Sequence, residues 1–296
     1  MLFAPLFNLS QHHPEFWLVG VTFFSLLVGS FLNVVIVRLP KSMQQEWQRE
    51  CSLLLKLPES DSQASNSALA SIAWPASHCT QCQTPLKYWH NIPVISYLWL
   101  RGKCAFCNAS ISPRYPLVEL LTTGLGLMIT WVLEPSISTL LALVLMYMLV
   151  ALTFIDLEHK LLPDQLTLPL IWLGLVVNSF GLFSTLEDAL WGAVAGYMSL
   201  WLLYWSFRLV TGKHGMGYGD FKLLAALGAW LGWEALPIIV LISAVAGIVM
   251  SLIQRMKTSP VDQQIPFGPF LSMGGCIYLL WGEQLSRSLI IGLYGM

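Results

Sequence analysis

Of 296 residues, only 15 are Lys or Arg and 16 are Asp or Glu, a charged share of 10% against about a quarter in soluble domains. With 56% hydrophobic residues the chain carries more apolar side chain than a water-facing globule of this length can hide, which excludes an ordinary soluble enzyme and calls for a bilayer. The net charge of −1 gives no reason to expect nucleic acid as a partner.

The first apolar run, residues 16–37, is 22 residues without a charge and matches the roughly 20 that a helix needs to cross the hydrocarbon. It reads as transmembrane helix 1 and not as a cleaved signal, because no Lys or Arg precedes Arg38 and the run exceeds the usual signal core of about 7 to 15 residues. Further runs follow at 117–133, 137–155, 166–184, 189–210, 221–253 and 267–294. The fifth of these is too long for one span. Gly232, Trp233, Glu234 and Pro237 predict a turn near Trp233 that divides it, so the expected fold is an all-α polytopic membrane protein of about eight transmembrane helices.

Eight of the fifteen basic residues (Arg38, Lys41, Arg49, Lys56, Lys87, Arg101, Lys103 and Arg114) lie between the first two spans. Short loops rich in Lys and Arg stay in the cytoplasm, which puts this loop inside and the N-terminus outside. Alternation then places Lys160, Arg208, Lys213, Arg255 and Lys257 inside, while the outer loops near Glu134, Glu187 and Glu234 carry no cation; Arg287, in the external tail, goes against the rule. Three parts follow: residues 1–37 with helix 1, a small cytoplasmic domain over 38–116, and a membrane domain over 117–296.

Within the cytoplasmic domain, residues 58–77 are rich in Ser and Ala without helical or strand period, which predicts a linker. Beyond it stand Cys79 and Cys82, then 21 residues, then Cys104 and Cys107. Two CxxC turns at this spacing can set four thiolates tetrahedrally around one Zn²⁺, in a closed and therefore structural site. Two disulfides, which a reducing cytoplasm disfavours, or four separate thiols are the other readings. Cys51 and Cys276 stand alone.

Asp156 ends the third span and Asp220 opens the sixth, both at the cytoplasmic border in this layout. Two carboxylates sharing a proton can hydrolyse a peptide, one taking a proton from water while the other polarises the carbonyl. The plain alternative is that Asp220 caps its helix and Asp156 is a solvated interfacial acid. Gly215, Gly217 and Gly219 serve either as a turn or as an open approach for a substrate backbone. Without a preceding strand they make a poor dinucleotide motif.

Residues 29–36 (GSFLNVVI) with Arg38-Leu39-Pro40, the paired CxxC turns, residues 91–97 (NIPVISY), residues 114–119 (RYPLVE), the stretch Asp156 to Asp164 and the Gly217-Tyr218-Gly219-Asp220 motif resemble, together and in this order, the bacterial type IV prepilin peptidase family. The resemblance implies a GxGD-type aspartic protease of the inner membrane. Such an enzyme removes the basic leader of type IV prepilins and type II secretion pseudopilins after a Gly, and methylates the new N-terminal residue, usually Phe, with S-adenosylmethionine. By position, Asp156 and Asp220 match the catalytic pair and Cys79, Cys82, Cys104 and Cys107 match the cysteine motif. A prepilin has an apolar helix in the bilayer and a basic leader in the cytoplasm, so its scissile bond lies at the depth expected for both aspartates. Gly217 and Gly219 are candidate substrate contacts, and Glu158 and Asp164 candidate partners for leader cations. No residues stand out for the methyl donor.

Asp156 follows the C-terminal end of one helix dipole and Asp220 meets the N-terminal end of another, which suggests Asp156 as keeper of the shared proton and Asp220 as base. HExxH, GxSxG and P-loop motifs are absent from the sequence. A transporter using Asp156, Asp220 and Glu119 as ion ligands would be expected to show duplicated halves, and none are seen. A thiol oxidoreductase would keep the cysteines metal-free.

Overall fold

A computed structural model describes residues 13–56, 77–79, 81–213, 215–257 and 265–294. The described residues form helices α1 (Pro14–Leu54), α2 (Ile95–Trp99), α3 (Arg114–Val132), α4 (Ile137–His159), α5 (Asp164–Asn178), α6 (Leu186–Thr211), α7 (Tyr218–Leu231), α8 (Ala235–Lys257) and α9 (Gly268–Tyr294), with a 3₁₀ turn at Tyr88–Asn91. Most of the expected linker, residues 58–76, lies outside the described residues. Four of the helices, α1, α3, α4 and α8, are long and apolar enough to cross a bilayer. The chain divides into two compact units between Trp131 and Val132.

In the first unit, α1 runs well past the apolar stretch that defines its span. Pro40 sits inside it, and the helix continues as an exposed rod to Leu54, about 60 Å in all at 1.5 Å per residue. Its apolar positions Phe16, Val19, Phe23, Leu27 and Phe31 are exposed, as lipid-facing side chains must be. The opposite face packs on α3 at a point where no side chain fits: a Cβ on Gly29 would stand 2.8 Å from the Cα of Glu119.

In the second unit, α7 is the central element. Every residue from Asp220 to Trp230 except Lys222 is buried, as befits a helix that is apolar on nearly all sides. Around it α4, α5, α6, α8 and α9 supply Leu149, Leu170, Leu200, Ile239 and Leu271 to one core. The α6 contact is backbone on backbone. Gly192 and Gly228 abut so closely that a Cβ on either would collide with the carbonyl of the other, and a Cβ on Gly196 would lie 2.7 Å from the Leu224 carbonyl oxygen. This is the small-residue spacing that lets helices approach in lipid.

The long apolar run divides at Gly232 (φ 82°), where a Cβ would meet the Ser184 hydroxyl at 2.7 Å. The α5 run is shorter than its apolar stretch, because the chain leaves the helix at Asn178, whose side chain is used elsewhere. Its Nδ2 donates to the carbonyls of Ala229 and Trp230, each at 2.9 Å, and its Oδ1 accepts from Phe183 and Ser184 N–H. The Trp230 indole donates in turn to the Leu170 carbonyl. At about 22 and 21 Å, α5 and α7 are shorter than the roughly 30 Å hydrocarbon core. A helix buried among others need not reach both interfaces.

Candidate active site

Asp156 lies in the last turn of α4, which closes at Lys160 in the left-handed conformation (φ 53°, ψ 41°), its N–H donating to the Asp156 carbonyl at 2.9 Å. The side chain is buried, and its Oδ2 accepts the Gly268 N–H at 3.0 Å. Gly268 is the first residue of α9, so the carboxylate sits against the N-terminus of a helix 112 residues downstream. A Cβ on Gly268 would stand 2.6 Å from that oxygen, so only glycine lets the carboxylate approach.

Asp220 lies in the first turn of α7 after the Gly217 N-cap and is buried too. The charge of Asp156 acts on it directly. Leu162, in the turn between α4 and α5, separates the segments that carry the pair. A Cβ on Gly219 would come within 2.6 Å of the Leu162 Cβ, and one on Gly268 within 3.2 Å of its Cδ1. Gly217 is exposed beside the Asp220 carboxylate. Glu158 is exposed two residues beyond Asp156. Asp164 is exposed and holds the Lys222 ammonium at 2.6 and 2.8 Å, so an internal cation already offsets its charge.

The dipole argument for unequal aspartates treated each as belonging to one helix. Asp156 ends α4 but caps α9, and Asp220 opens α7, so both carboxylates meet a helix N-terminus, which favours negative charge. The ground for assigning the shared proton to Asp156 is therefore gone. Neither Gly268 nor Lys222 was named from the sequence. The Pro266-Phe267-Gly268-Pro269 segment before an apolar run is a helix-start signal, but nothing in it announces a partner for Asp156.

In the first unit, the Sγ atoms of Cys79, Cys82, Cys104 and Cys107 lie within 4.8 Å of one another. Cys79 and Cys107 are 3.8 Å apart, the edge of a tetrahedron whose centre lies about 2.3 Å from each sulfur, as in a zinc–thiolate site. The two turns are copies offset by 25 residues. Cys79 N–H donates to Thr84 O as Cys104 N–H does to Ala109 O, Gln83 to Cys79 as Asn108 to Cys104, and Leu86 to Ser77 as Ile111 to Gly102. Gln83 and Asn108 share the left-handed backbone (φ 59° and 57°). A hydrogen bond from Thr84 pulls the Cys82 thiol down to about 6 and the backbone N–H groups of Cys107 and Phe106 lower that of Cys104, while burial and the neighbouring cysteine sulfurs push that of Cys107 up to about 11, so the four thiols do not ionise alike. This donor set fits zinc.

The first unit also encloses a cavity of about 750 Å³ bordered by α1, the first residues of α3 and the cysteine turns. Ser30, Asn33, Arg38, His90, Arg114 and Glu119 are among its lining residues. Its size suits a small organic ligand, for which pockets run to about 300–1,000 Å³. Cys276 is separate from both sites, its thiol directed at the Met146 sulfur at 2.9 Å.

Residues 23–133 match the family described as Bacterial Peptidase A24 N-terminal domain, and residues 143–252 the Type IV leader peptidase family. The prepilin leader peptidase/N-methyltransferase of Stutzerimonas stutzeri is 52% identical over 264 residues, 89% of this chain and 90% of the relative. Those of Aeromonas hydrophila and Pseudomonas aeruginosa, bearing the same name, are 50% and 47% identical over 285 residues, each covering 96% of this chain and 97% of the relative. No solved structure matches. The chain belongs to the type IV prepilin leader peptidase/N-methyltransferase family.

Proposed function

We propose that the chain is a membrane aspartic endopeptidase that removes the basic leader from type IV prepilins or pseudopilins after Gly, with Asp156 and Asp220 as its catalytic pair. The observation that carries this reading is the approach of two buried carboxylates, far apart in sequence, at the ends of α4 and α7, where the charge of Asp156 acts on Asp220. Like charges in a dry site share a proton. The ionised member takes a proton from a water molecule as the water oxygen bonds to the scissile carbonyl carbon, the protonated member donates to the carbonyl oxygen, and a proton then passes to the leaving amine as the C–N bond breaks. No metal is needed for these transfers.

The Gly268 N–H fixes one oxygen of Asp156 and so sets the orientation of the carboxylate. Gly217 and Gly219, without side chains, leave room for an extended substrate backbone beside Asp220. Glu158 remains a candidate contact for leader cations, and Asp164 would act in this role only in exchange for Lys222.

The second activity transfers a methyl group from S-adenosylmethionine to the new N-terminal amine, forming N–CH₃, breaking S–CH₃ and releasing a proton. We assign it to the first unit, which the A24 N-terminal family covers. Cys79, Cys82, Cys104 and Cys107 would hold a structural Zn²⁺ there. We further infer an eight-span arrangement in the bacterial inner membrane, N-terminus in the periplasm and both aspartates at the cytoplasmic face.

Incubation with a prepilin, followed by mass measurement, tests the protease. Asp156→Asn and Asp220→Asn should each lower the cleavage rate by at least about 10³-fold while the protein keeps its wild-type thermal midpoint. A folded variant of either kind that cleaves at a near-normal rate would exclude the dyad.

A further inference from the structure

We propose that the cavity of the first unit is the methyl-donor site, with Asn33 and Glu119 as its binding groups; this rests on the N-methyltransferase reading above. Asn33 is 3% exposed. Its Nδ2 donates to the carbonyls of Tyr115 and Gly29, but its Oδ1 has no hydrogen-bond partner among the described residues and is itself covered, so a ligand in the cavity that this residue borders reaches it only once a neighbouring side chain moves aside. His90, on the same wall, has a buried Nδ1 in the same condition. A buried acceptor left open costs about 1–3 kcal/mol, which a ligand N–H or O–H recovers.

Glu119 is buried beside Asn33, where α3 touches α1 at Gly29. It accepts the Val94 N–H at 2.8 Å, and that bond holds a strained backbone. Val94 has φ 59° and ψ −48°, an outlier for a β-branched residue, and the Ile95 N–H bridges back to Pro93 at 2.5 Å in a γ-turn of the rare positive-φ kind. Strain of this sort, about 1–3 kcal/mol, persists where the surroundings enforce it, and it collects at ligand sites. Here its effect is to aim an N–H at the carboxylate and anchor it in the cavity wall.

The charges on the wall are of both signs. Glu119 is the carboxylate, and Arg38, Lys41 and Arg114 are the cations. S-adenosylmethionine carries a sulfonium, an α-ammonium and an α-carboxylate, with a flat base whose edge seeks hydrogen bonds. A carboxylate for its sulfonium, guanidinium and ammonium groups for its carboxylate, and the unpartnered Asn33 oxygen just beneath the wall for an N–H of base or amine form a matching set. A phosphate headgroup would use the cations and leave Glu119 and the Asn33 acceptor opposed to it.

The test is calorimetric titration of the full-length, zinc-loaded protein in nanodiscs with S-adenosylmethionine and with S-adenosylhomocysteine, which lacks the sulfonium charge. Glu119→Gln should weaken the first by about tenfold or more and the second by less than about threefold, since only the first presents a sulfonium to the carboxylate. Ser42→Trp, on the α1 wall of the cavity, should weaken both. Zinc content and thermal midpoint report whether either variant is folded. Equal loss of the two ligands in Glu119→Gln would reduce Glu119 to a structural part and overturn its binding role. Wild-type binding in Ser42→Trp would overturn the cavity as the donor site, even with methyl transfer intact. A wild-type protein that binds neither ligand and does not methylate a leaderless pilin would instead defeat the methyltransferase reading itself.

Discussion

Two buried asparagines set the two units apart. Asn178 is 1% exposed and makes four hydrogen bonds, closing the ends of α5 and α7 and the loop that follows. Asn33, almost as buried, donates twice and leaves its oxygen without a partner among the described residues, just beneath a cavity wall. The same residue type acts as a fastener in one place and as a waiting contact in the other. The second unit saturates Asn178 and Ser243 within its core, leaves the Ser272 hydroxyl without a partner among the described residues, and takes its order from dense apolar packing on α7. The first unit has little core around its cysteine turns, so on the zinc reading proposed above those turns would take their shape from the bound ion.

The sharpest way to break this contrast is to remove the metal. Cys79→Ser combined with Cys104→Ser, or a strong chelator, should take bound zinc from about one ion per chain to none. It should also raise amide exchange across residues 77–112 by orders of magnitude, with α4 to α9 protected as before. Equal deprotection of α7 would show that the units are not held by different means. Gly268→Ala comes next. It places a methyl group 2.6 Å from the Asp156 oxygen, so the carboxylate must swing away, and leader cleavage should fall by about 10²-fold with donor binding unaltered. Unchanged kinetics would show that the α9 contact is incidental.

Asn178→Ala strands two carbonyls and two N–H groups inside the protein and should cost about 3 kcal/mol or more, read as a lowered midpoint in a denaturant titration. A loss below about 1 kcal/mol would mean that water replaces the side chain and that the fastener is dispensable. The smallest effect belongs to Lys222→Gln. The pair with Asp164 is partly exposed, so stability should change by less than about 1 kcal/mol. Because Asp164 is then uncompensated, KM for a leader rich in Lys should drop a few-fold at constant kcat. An increase in KM would tie Lys222 itself to the substrate.

Much of this arrangement was legible in the residue order, and the reasons are local. Gly232 with Pro237 marked the break that separates α7 from α8, because a positive φ and an absent N–H act within a few residues. The cysteine spacing announced a four-sulfur cluster, since two short turns need only fold back on each other. The far end of α1 was not foreseen. Apolar periodicity stops at Arg38, yet a proline is tolerated within the helix and the hydrogen-bonded rod runs on. Least legible were contacts made by backbone atoms across long separations. The N–H of Gly268 on Asp156 carries no side-chain signature, and neither does the close passage of α1 over α3 that buries Glu119. The cavity appears only once Asn33 and Glu119, 86 positions apart, stand side by side.

The 25-residue echo between the cysteine turns makes that module a dimer within one chain, with its axis running between the paired sulfurs where the proposed ion would sit. Each copy offers half a coordination shell, and half a shell binds weakly. Because the tether keeps the other half always near, capture is cooperative, and losing any one sulfur should release both loops together in a single step and not by stages.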